Sequence, residues 1–247
     1  MFPLRDENPT VHASFATFAL IGANLACWLW VQGAGFHPAL LKSICQFGAI
    51  PAELLGFVQQ ATRIPLGGEF YCGIDGNPDY RTVITSMFMH GGWFHLIMNM
   101  WFLFVFGDNI EDAMGPVRFI FFYLICGIAA LASQLWFHAA SVVPMVGASG
   151  AIGGVMGGYA LLYPRIRVHL LIFLGFFFTR IRVPAFLLLF YWFLLQFVSG
   201  YFSLGSAATG VAFWAHIGGF IAGILLVRFF CNSERLARCK MKRTNIK

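Results

Sequence analysis

Charged residues are scarce in this chain of 247 residues. Asp, Glu, Lys and Arg make up 11% of the sequence and hydrophobic residues 59%, whereas a soluble domain is about 25% charged and about 45–50% apolar. This composition excludes a soluble enzyme, a disordered chain and, despite a net charge of +6, a nucleic-acid-binding protein. Six cysteines are too few for a disulfide scaffold of this length. The remaining class is an integral protein of the lipid bilayer, and we expect residues 1–247 to form one domain.

The few charges divide the sequence into long apolar segments. No charged residue occurs in 8–41, 82–107, 119–164 or 183–227. A transmembrane helix needs about 20 apolar residues, so the first two segments hold one span each and the last two hold two each. The pattern therefore predicts an all-α polytopic protein with six transmembrane helices. The shorter apolar run Val168–Thr179 is predicted to be interfacial, either helical or a strand hairpin.

Lys and Arg are distributed unevenly between the predicted loops. With a cytoplasmic N-terminus, thirteen of the sixteen positive residues lie inside, six of them in the basic tail at 232–247, and only Lys42, Arg63 and Arg81 lie outside. This positive-inside bias predicts that both termini are cytoplasmic. The tail is predicted to be a solvated topology signal near anionic lipid. The six-span plan without appended domains favours a bacterial inner membrane.

The large outer loop between the first two spans holds two cysteines, Cys45 and Cys72. Outer compartments permit disulfides. The sequence leaves open whether these two residues pair or remain free thiols.

A small set of polar side chains lies within the predicted spans, where such residues are costly and are candidates for function. His95 and Asn99 fall in the second span, Ser149 at the start of the fourth and His216 near the start of the sixth. At 1.5 Å per helical residue, all four lie about 5–10 Å below the outer surface. Scattered structural residues would not be expected to share one depth. Three others stand alone and are predicted to make interhelical hydrogen bonds: Asn24, Ser133 and Gln196.

The residue types at this depth fit acyl-transfer chemistry. Ser149 follows Gly147 in a Gly-Ala-Ser-Gly segment where a loop meets a helix. Free N–H groups at a helix start can stabilise an oxyanion. A serine hydroxyl needs a base to become a nucleophile, and His216 can supply one. His95 and Asn99, four residues apart, share one helix face and can both donate hydrogen bonds.

Carboxylates are missing from the same region. No Asp or Glu occurs between Asp112 and Glu234. The pattern therefore predicts a Ser–His dyad whose histidine is oriented by something other than an acid. Small residues at four-residue steps predict close packing of the fourth and sixth spans: Gly150, Gly154 and Gly158, with Ala215, Gly219 and Gly223.

Three motifs in order resemble the rhomboid family of intramembrane serine proteases, over about residues 82–226. They are G-x-S-G at Gly147–Gly150, A-H-x-x-G-x-x-x-G from Ala215 to Gly223, and H-x-x-x-N from His95 to Asn99. Two positions depart from the family pattern. Tyr80-Arg81 stands where relatives have Trp-Arg, and Gly153 stands where some relatives have a Tyr that stacks on the catalytic histidine.

The resemblance implies a six-helix core, with Ser149 as nucleophile and His216 as general base. It implies an oxyanion hole formed by His95, Asn99 and the Ser149 backbone N–H. It also implies that the substrates are single-span membrane proteins and that no cofactor is needed. Supporting roles follow for six residues: Gly147, Gly150, Gly219, Gly223, Arg81 and Glu111, the last through a structural polar contact.

Two other functions are weighed against this one. A catalytically silent relative could bind or escort membrane proteins, although such relatives usually lose the Ser or His that this chain retains. A haem or metal site is a third class, because His95 and His216 are intramembrane imidazoles. Zinc requires three or four ligands, and the sequence has neither an H-E-x-x-H motif nor an acid in the later spans. We therefore expect no metal site.

Overall fold

The computed structural model describes residues 2–58, 62–67, 70–174, 177–204 and 211–244, and most of them are helical. The helices are α1 (Phe15–Ala26), α2 (Ala39–Phe47), α3 (Pro51–Leu54), α4 (Thr82–Thr85), α5 (Trp93–Met114), α6 (Pro116–Phe137), α7 (Ser149–Leu162), α8 (Ala185–Ser203), α9 (Phe213–Phe230) and α10 (Ser233–Thr244). The strands are β1 (Phe2–Asp6), β2 (Thr62–Gly67), β3 (Phe70–Ile74), β4 (Arg167–Leu174) and β5 (Phe177–Pro184). A π-helical turn, Cys27–Val31, continues α1.

Each predicted span coincides with one helix: α1, α5, α6, α7, α8 or α9. By length and composition, α6, α8 and α9 can cross a membrane, while Phe15–Val31 and α7 are apolar but shorter. Helix α5 carries Asp108, Glu111 and Asp112 at its C-terminal end. The prediction of an integral membrane protein thus rests structurally on three helices, and six crossings remain a prediction.

The short apolar run that the sequence left as helix or hairpin forms a hairpin. Strands β4 and β5 pair antiparallel, and β1 pairs with the other edge of β4. Val168 and Leu170 are buried, whereas Arg180 and Arg182 on the partner strand are exposed. Alternating side chains on a strand allow one face to pack and the other to stay polar. The N-terminal strand β1 was not anticipated.

The outer loop between α1 and α5 is also more ordered than predicted. It contains α2, α3 and the antiparallel β2–β3 hairpin. Cys45 in α2 and Cys72 in β3 form a disulfide. The structure therefore selects the paired form of the two alternatives that the sequence left open.

The basic tail keeps Arg238, Lys240 and Lys242 exposed, as expected of a solvated segment, but it is also helical and contacts the bundle. Residues Ser233–Thr244 form α10, which packs against the C-terminal part of α5. The thiol of Cys239 is buried and lies 3.3 Å from Asp112 Oδ2. The Arg243 guanidinium lies 5.8 Å from the centre of the Tyr163 ring. These contacts join the tail to the end of the bundle opposite Ser149.

Helices α7 and α9 approach each other until their backbones touch. A Cβ atom at Gly219 would lie 1.9 Å from the carbonyl oxygen of Gly150, and one at Gly223 would lie 1.9 Å from that of Gly154. Neither carbonyl can move without shifting its helix. The four-residue glycine spacing predicted this contact, and small residues permit it because membrane helices associate largely by close packing.

Replacing Gly223 with Ala tests this packing. We expect Gly223→Ala to lower the free energy of unfolding by about 1–3 kcal/mol, because the added methyl group overpacks a rigid contact. Gly22→Ala is the matched control, since nothing lies within 4 Å of the position where its methyl group would be added in α1. Thermal unfolding in detergent measures both variants. Equal midpoints for the two would contradict the proposed backbone contact.

Asp6 joins β1 to the helices at the end of the bundle opposite Ser149. Its carboxylate accepts hydrogen bonds from the Tyr159 hydroxyl and from Asn109 Nδ2. Burial nevertheless raises the pKa of Asp6 from 3.8 to about 6, because the ionised form loses its hydration. The folded chain therefore binds a proton at Asp6 more tightly than the unfolded chain does.

This pKa shift predicts a pH-dependent stability. The contribution of protonated Asp6 is fully present below pH 3.8 and is lost as the pH rises through about 6, which amounts to up to about 3 kcal/mol. Unfolding midpoints measured between pH 4 and pH 7 should therefore fall with pH, and Asp6→Asn should flatten that dependence. The same slope in both proteins would exclude Asp6 as its source.

Candidate active site

Ser149 is the first residue of α7, and the loop before it is held in place from two sides. The Gly147 N–H donates to the Ser86 carbonyl oxygen over 2.9 Å, and Met145 forms a β-bridge with Ala49. Gly147 has φ +131°, a conformation that side chains disfavour. These constraints place the Ser149 hydroxyl at the start of the helix, where the first N–H groups have no partner within the helix.

His216 lies in the first turn of α9 and faces Ser149. Its Nε2 atom is 2.7 Å from Ser149 Oγ, and its Nδ1 atom is 2.7 Å from Gln196 Oε1 on α8. The close approach of α7 and α9 sets the first distance. Residues 67 positions apart in the sequence are thereby brought within hydrogen-bond range, which is the geometry a base requires to take a hydroxyl proton.

His95 and Asn99 occupy the first two turns of α5 on the side that faces Gly147 and Ser149. The Gly91 N–H donates to His95 Nδ1 over 3.3 Å, so a neutral ring carries its proton on Nε2. A Cβ atom at Gly147 would lie 2.8 Å from that Nε2 atom. Asn99 is buried, and its Nδ2 has no hydrogen-bond partner among the residues that the structure describes. Both groups can donate to a ligand.

The four polar residues line one cavity of about 450 Å³. Its walls come from α5, α7, α8, α9 and two loop segments, and most of its lining is apolar. Beside His95, Asn99, Ser149 and His216, the lining residues are Phe94, Met98, Phe102, Val146, Ile152, Met156, Trp192, Val211 and Ala212. A mostly apolar cavity with a few convergent polar groups is typical of a binding site.

The six residues assigned supporting roles lie in four different places. Gly147 shapes the loop, while Gly150, Gly219 and Gly223 lie in helix contacts. Glu111 lies at the far end of α5, where it accepts hydrogen bonds from the Ala16 and Thr17 N–H groups and the Thr17 hydroxyl over 2.7–2.8 Å. Arg81 is exposed and pairs with Asp79 over 2.8 Å. The structure does not bring Arg81 to the cavity.

Helix α8 contributes two residues whose contact with His216 was not predicted. Gln196 was expected to make an unspecified interhelical hydrogen bond, and Trp192 was not singled out. The Trp192 and His216 rings lie 5.8 Å apart. The depth of Gln196 in the predicted span could have identified it. Gln196 lies twelve residues after Pro184, which is about 18 Å along a helix. This places it in the half of the bilayer nearer the outer surface.

Gly153 on α7 lies against α9 beside His216. A Cβ atom at this position would lie 3.0 Å from the His216 carbonyl oxygen and 3.5 Å from the Phe220 nitrogen. Gly153 has no side chain, so α7 places no ring against the imidazole from the position where some relatives have a Tyr.

Comparison with known proteins identifies the family. The Rhomboid domain family matches residues 77–233, well over half of the chain. The chain therefore belongs to the rhomboid family, and the resemblance drawn from its motifs is confirmed. Rhomboids are integral membrane proteins, generally serine proteases, that act on membrane-protein substrates within the bilayer.

Individual relatives match parts of the chain. Yeast (Saccharomyces cerevisiae) mitochondrial Rhomboid protein 1 is 36% identical over 103 residues, which cover 38% of this chain and 30% of that protein. Arabidopsis thaliana mitochondrial RHOMBOID-like protein 12 is 30% identical over 215 residues, covering 76% and 61%. The Arabidopsis Inactive RHOMBOID-like protein 8 is 27% identical over 92 residues, covering 37% and 26%.

The partial coverage of these matches limits which properties of the relatives can be assigned to this chain. The chain spans less than two thirds of the length of each of these relatives. Two of them are mitochondrial proteins, so the comparisons do not support the bacterial inner membrane that the compact span plan favoured.

Replacing Gly147 with Ala tests the loop geometry at the site. The new methyl group would lie 2.8 Å from His95, so we expect the rate of Ser149 labelling by a fluorophosphonate to fall at least about tenfold. Gly67→Ala is the control, because Gly67 has a similar φ of +125° with nothing within 4 Å of the added methyl group. A labelling rate in Gly147→Ala equal to that in Gly67→Ala would show that the methyl group at residue 147 does not disturb the site.

Proposed function

We propose that this chain is an intramembrane serine endopeptidase that uses a Ser149–His216 dyad. The observation that carries the proposal is the 2.7 Å distance from Ser149 Oγ to His216 Nε2 in the wall of a cavity that also holds His95 and Asn99. Residues 1–247 form one domain in this proposal. Its six transmembrane helices are α1 and α5 to α9, and the motif-bearing core covers 82–226.

Acylation begins when Ser149 Oγ attacks a peptide carbonyl carbon and His216 Nε2 accepts the hydroxyl proton. The carbonyl oxygen becomes an oxyanion. His95 Nε2–H, Asn99 Nδ2–H and the Ser149 backbone N–H are the donors that stabilise it. Each such donor accounts for about 10²–10³ in rate.

Collapse of the tetrahedral intermediate breaks the peptide bond. His216 returns its proton to the leaving amine, and the substrate acyl group remains on Ser149 as an ester. A water molecule then attacks the ester carbonyl carbon, with His216 again as base. Breakage of the ester bond releases the acid product and restores the Ser149 hydroxyl. The structure supports both half-reactions with the same base, because His216 Nε2 faces the cavity at Ser149.

The apolar cavity walls favour a substrate taken from the bilayer. Met98, Phe102, Ile152 and Met156 line the cavity beside the dyad, and they suit the side chains of a transmembrane segment. A helical segment keeps its carbonyls hydrogen-bonded internally, so the scissile region must unwind before Ser149 can attack. We therefore propose single-span membrane proteins with a helix-destabilised segment as substrates.

The orientation follows from charge. Arg180 and Arg182 of β5 and the basic residues of α10 lie at the end of the bundle opposite the dyad. By the positive-inside rule that end faces the cytoplasm or its equivalent. Both termini then lie on the positive side, and the dyad opens toward the opposite side.

A silent client-binding protein is the second candidate, because an inactive plant relative is among the matches. A serine-directed phosphonate separates the two functions. An active dyad should be labelled at Ser149, whereas a silent binder should not react above the level of Ser149→Ala.

Cleavage in liposomes tests the main proposal. Wild type should cut a single-span substrate, and Ser149→Ala should lower the rate by about 10⁴ or more, because the nucleophile is lost. Ser14→Ala is the matched control, since the Ser14 side chain makes no cap to α1. It should cleave like wild type. Cleavage retained in Ser149→Ala would refute the assignment of Ser149.

A further inference from the structure

His216 is held between two helices through its two ring nitrogens. Nε2 faces Ser149 on α7, while Nδ1 lies 2.7 Å from Gln196 Oε1 on α8. Trp192 lies one turn before Gln196, on the same face of α8, with its ring 5.8 Å from the imidazole and tilted by 36°. One face of α8 thus contacts the base on the side away from the nucleophile.

The contact with Gln196 decides which nitrogen carries the proton. A neutral imidazole has one N–H donor and one acceptor nitrogen, and an amide oxygen can only accept. With Gln196 Oε1 beside it, Nδ1 carries the proton and donates. Nε2 then presents its lone pair to the Ser149 hydroxyl, which is the tautomer that general-base catalysis requires.

We propose that Gln196 is the positioning residue of the dyad, and that Ser149, His216 and Gln196 act as a triad with an uncharged third member. This role rests on the proposed catalytic function of Ser149 and His216. Gln196 fixes the Nδ1–H tautomer and the ring orientation of His216, and it touches neither the substrate nor the reacting atoms.

An uncharged third member fits the location. Carboxylates are costly inside a bilayer, and no Asp or Glu occurs between Asp112 and Glu234. An amide oxygen orients the imidazole without placing a charge there. Residue 153 on α7 is a glycine, so no aromatic ring is available there to stack on the imidazole.

Two length-matched variants test the role. Gln196→Met keeps the unbranched shape but removes the acceptor oxygen, whereas Gln196→Glu keeps an acceptor oxygen at the same distance. Loss of this hydrogen bond in Gln196→Met should slow fluorophosphonate labelling of Ser149 by about 10- to 100-fold. Substrate cleavage should show a lower kcat with an unchanged KM. Gln196→Glu should recover most of the lost rate.

Nuclear magnetic resonance provides a readout that does not depend on catalysis. In ¹⁵N-histidine-labelled wild type, the His216 signals, assigned by difference from His216→Ala, should show a protonated Nδ1 and an unprotonated Nε2. Gln196→Met should populate both tautomers, and Gln196→Glu should keep Nδ1 protonated. Asn24→Leu removes a buried amide in α1 that bonds to the Leu20 carbonyl oxygen, and it should leave the His216 signals unchanged.

The outcomes separate this inference from the proposed function. A wild-type labelling rate in Gln196→Met, or an unchanged His216 tautomer, would overturn the positioning role. So would an Nε2–H tautomer in wild type, which corresponds to the opposite orientation of the amide. If wild type neither labels nor cleaves while the tautomer still depends on residue 196, the protease function fails and the positioning by Gln196 stands.

Discussion

The backbone contact between α7 and α9 is the constraint on which the rest of the molecule depends. Gly219 and Gly223 leave no space for a Cβ atom against the carbonyls of Gly150 and Gly154. In a bilayer the helices gain little from hydrophobic burial against each other, so such close packing is a main source of their association. The same contact brings Ser149 and His216 within 2.7 Å. The packing of the two helices and the juxtaposition of Ser149 and His216 therefore have a common cause.

His216 is contacted from α7 on one side and from α8 on the other. Gly153 on α7 offers no side chain to the imidazole, whereas Gln196 and Trp192 of α8 both contact it. In a low-dielectric interior a hydrogen bond of this kind is stronger than in water, and an unpaired polar group is more costly. The Gln196 amide places a hydrogen-bond acceptor beside the ring without the cost of burying a charge.

The two ends of the helix bundle carry different sets of polar side chains. The proposed dyad and its proposed hydrogen-bond donors lie where α5, α7 and α9 begin, whereas Asp108, Glu111 and Asp112 lie where α5 ends. There Glu111 accepts the N–H groups of Ala16 and Thr17, and Asp112 contacts His12 and Cys239. Asp6 ties the N-terminal strand to Tyr159 and Asn109. These contacts tie down the N-terminal segment and α10 without introducing a charge near Ser149.

The sequence by itself determined the membrane class, the positions of the long helices and the residues that meet at the cavity. Charge-free length, glycine spacing and helical rise are local properties, so they can be read from the chain directly. Only the tertiary structure decided that β4 pairs with the N-terminal strand β1, that Cys45 joins Cys72, and that Arg81 stays outside the cavity. It alone brought Gln196 to His216, because a contact between two helices depends on their relative rotation, which composition and spacing do not specify.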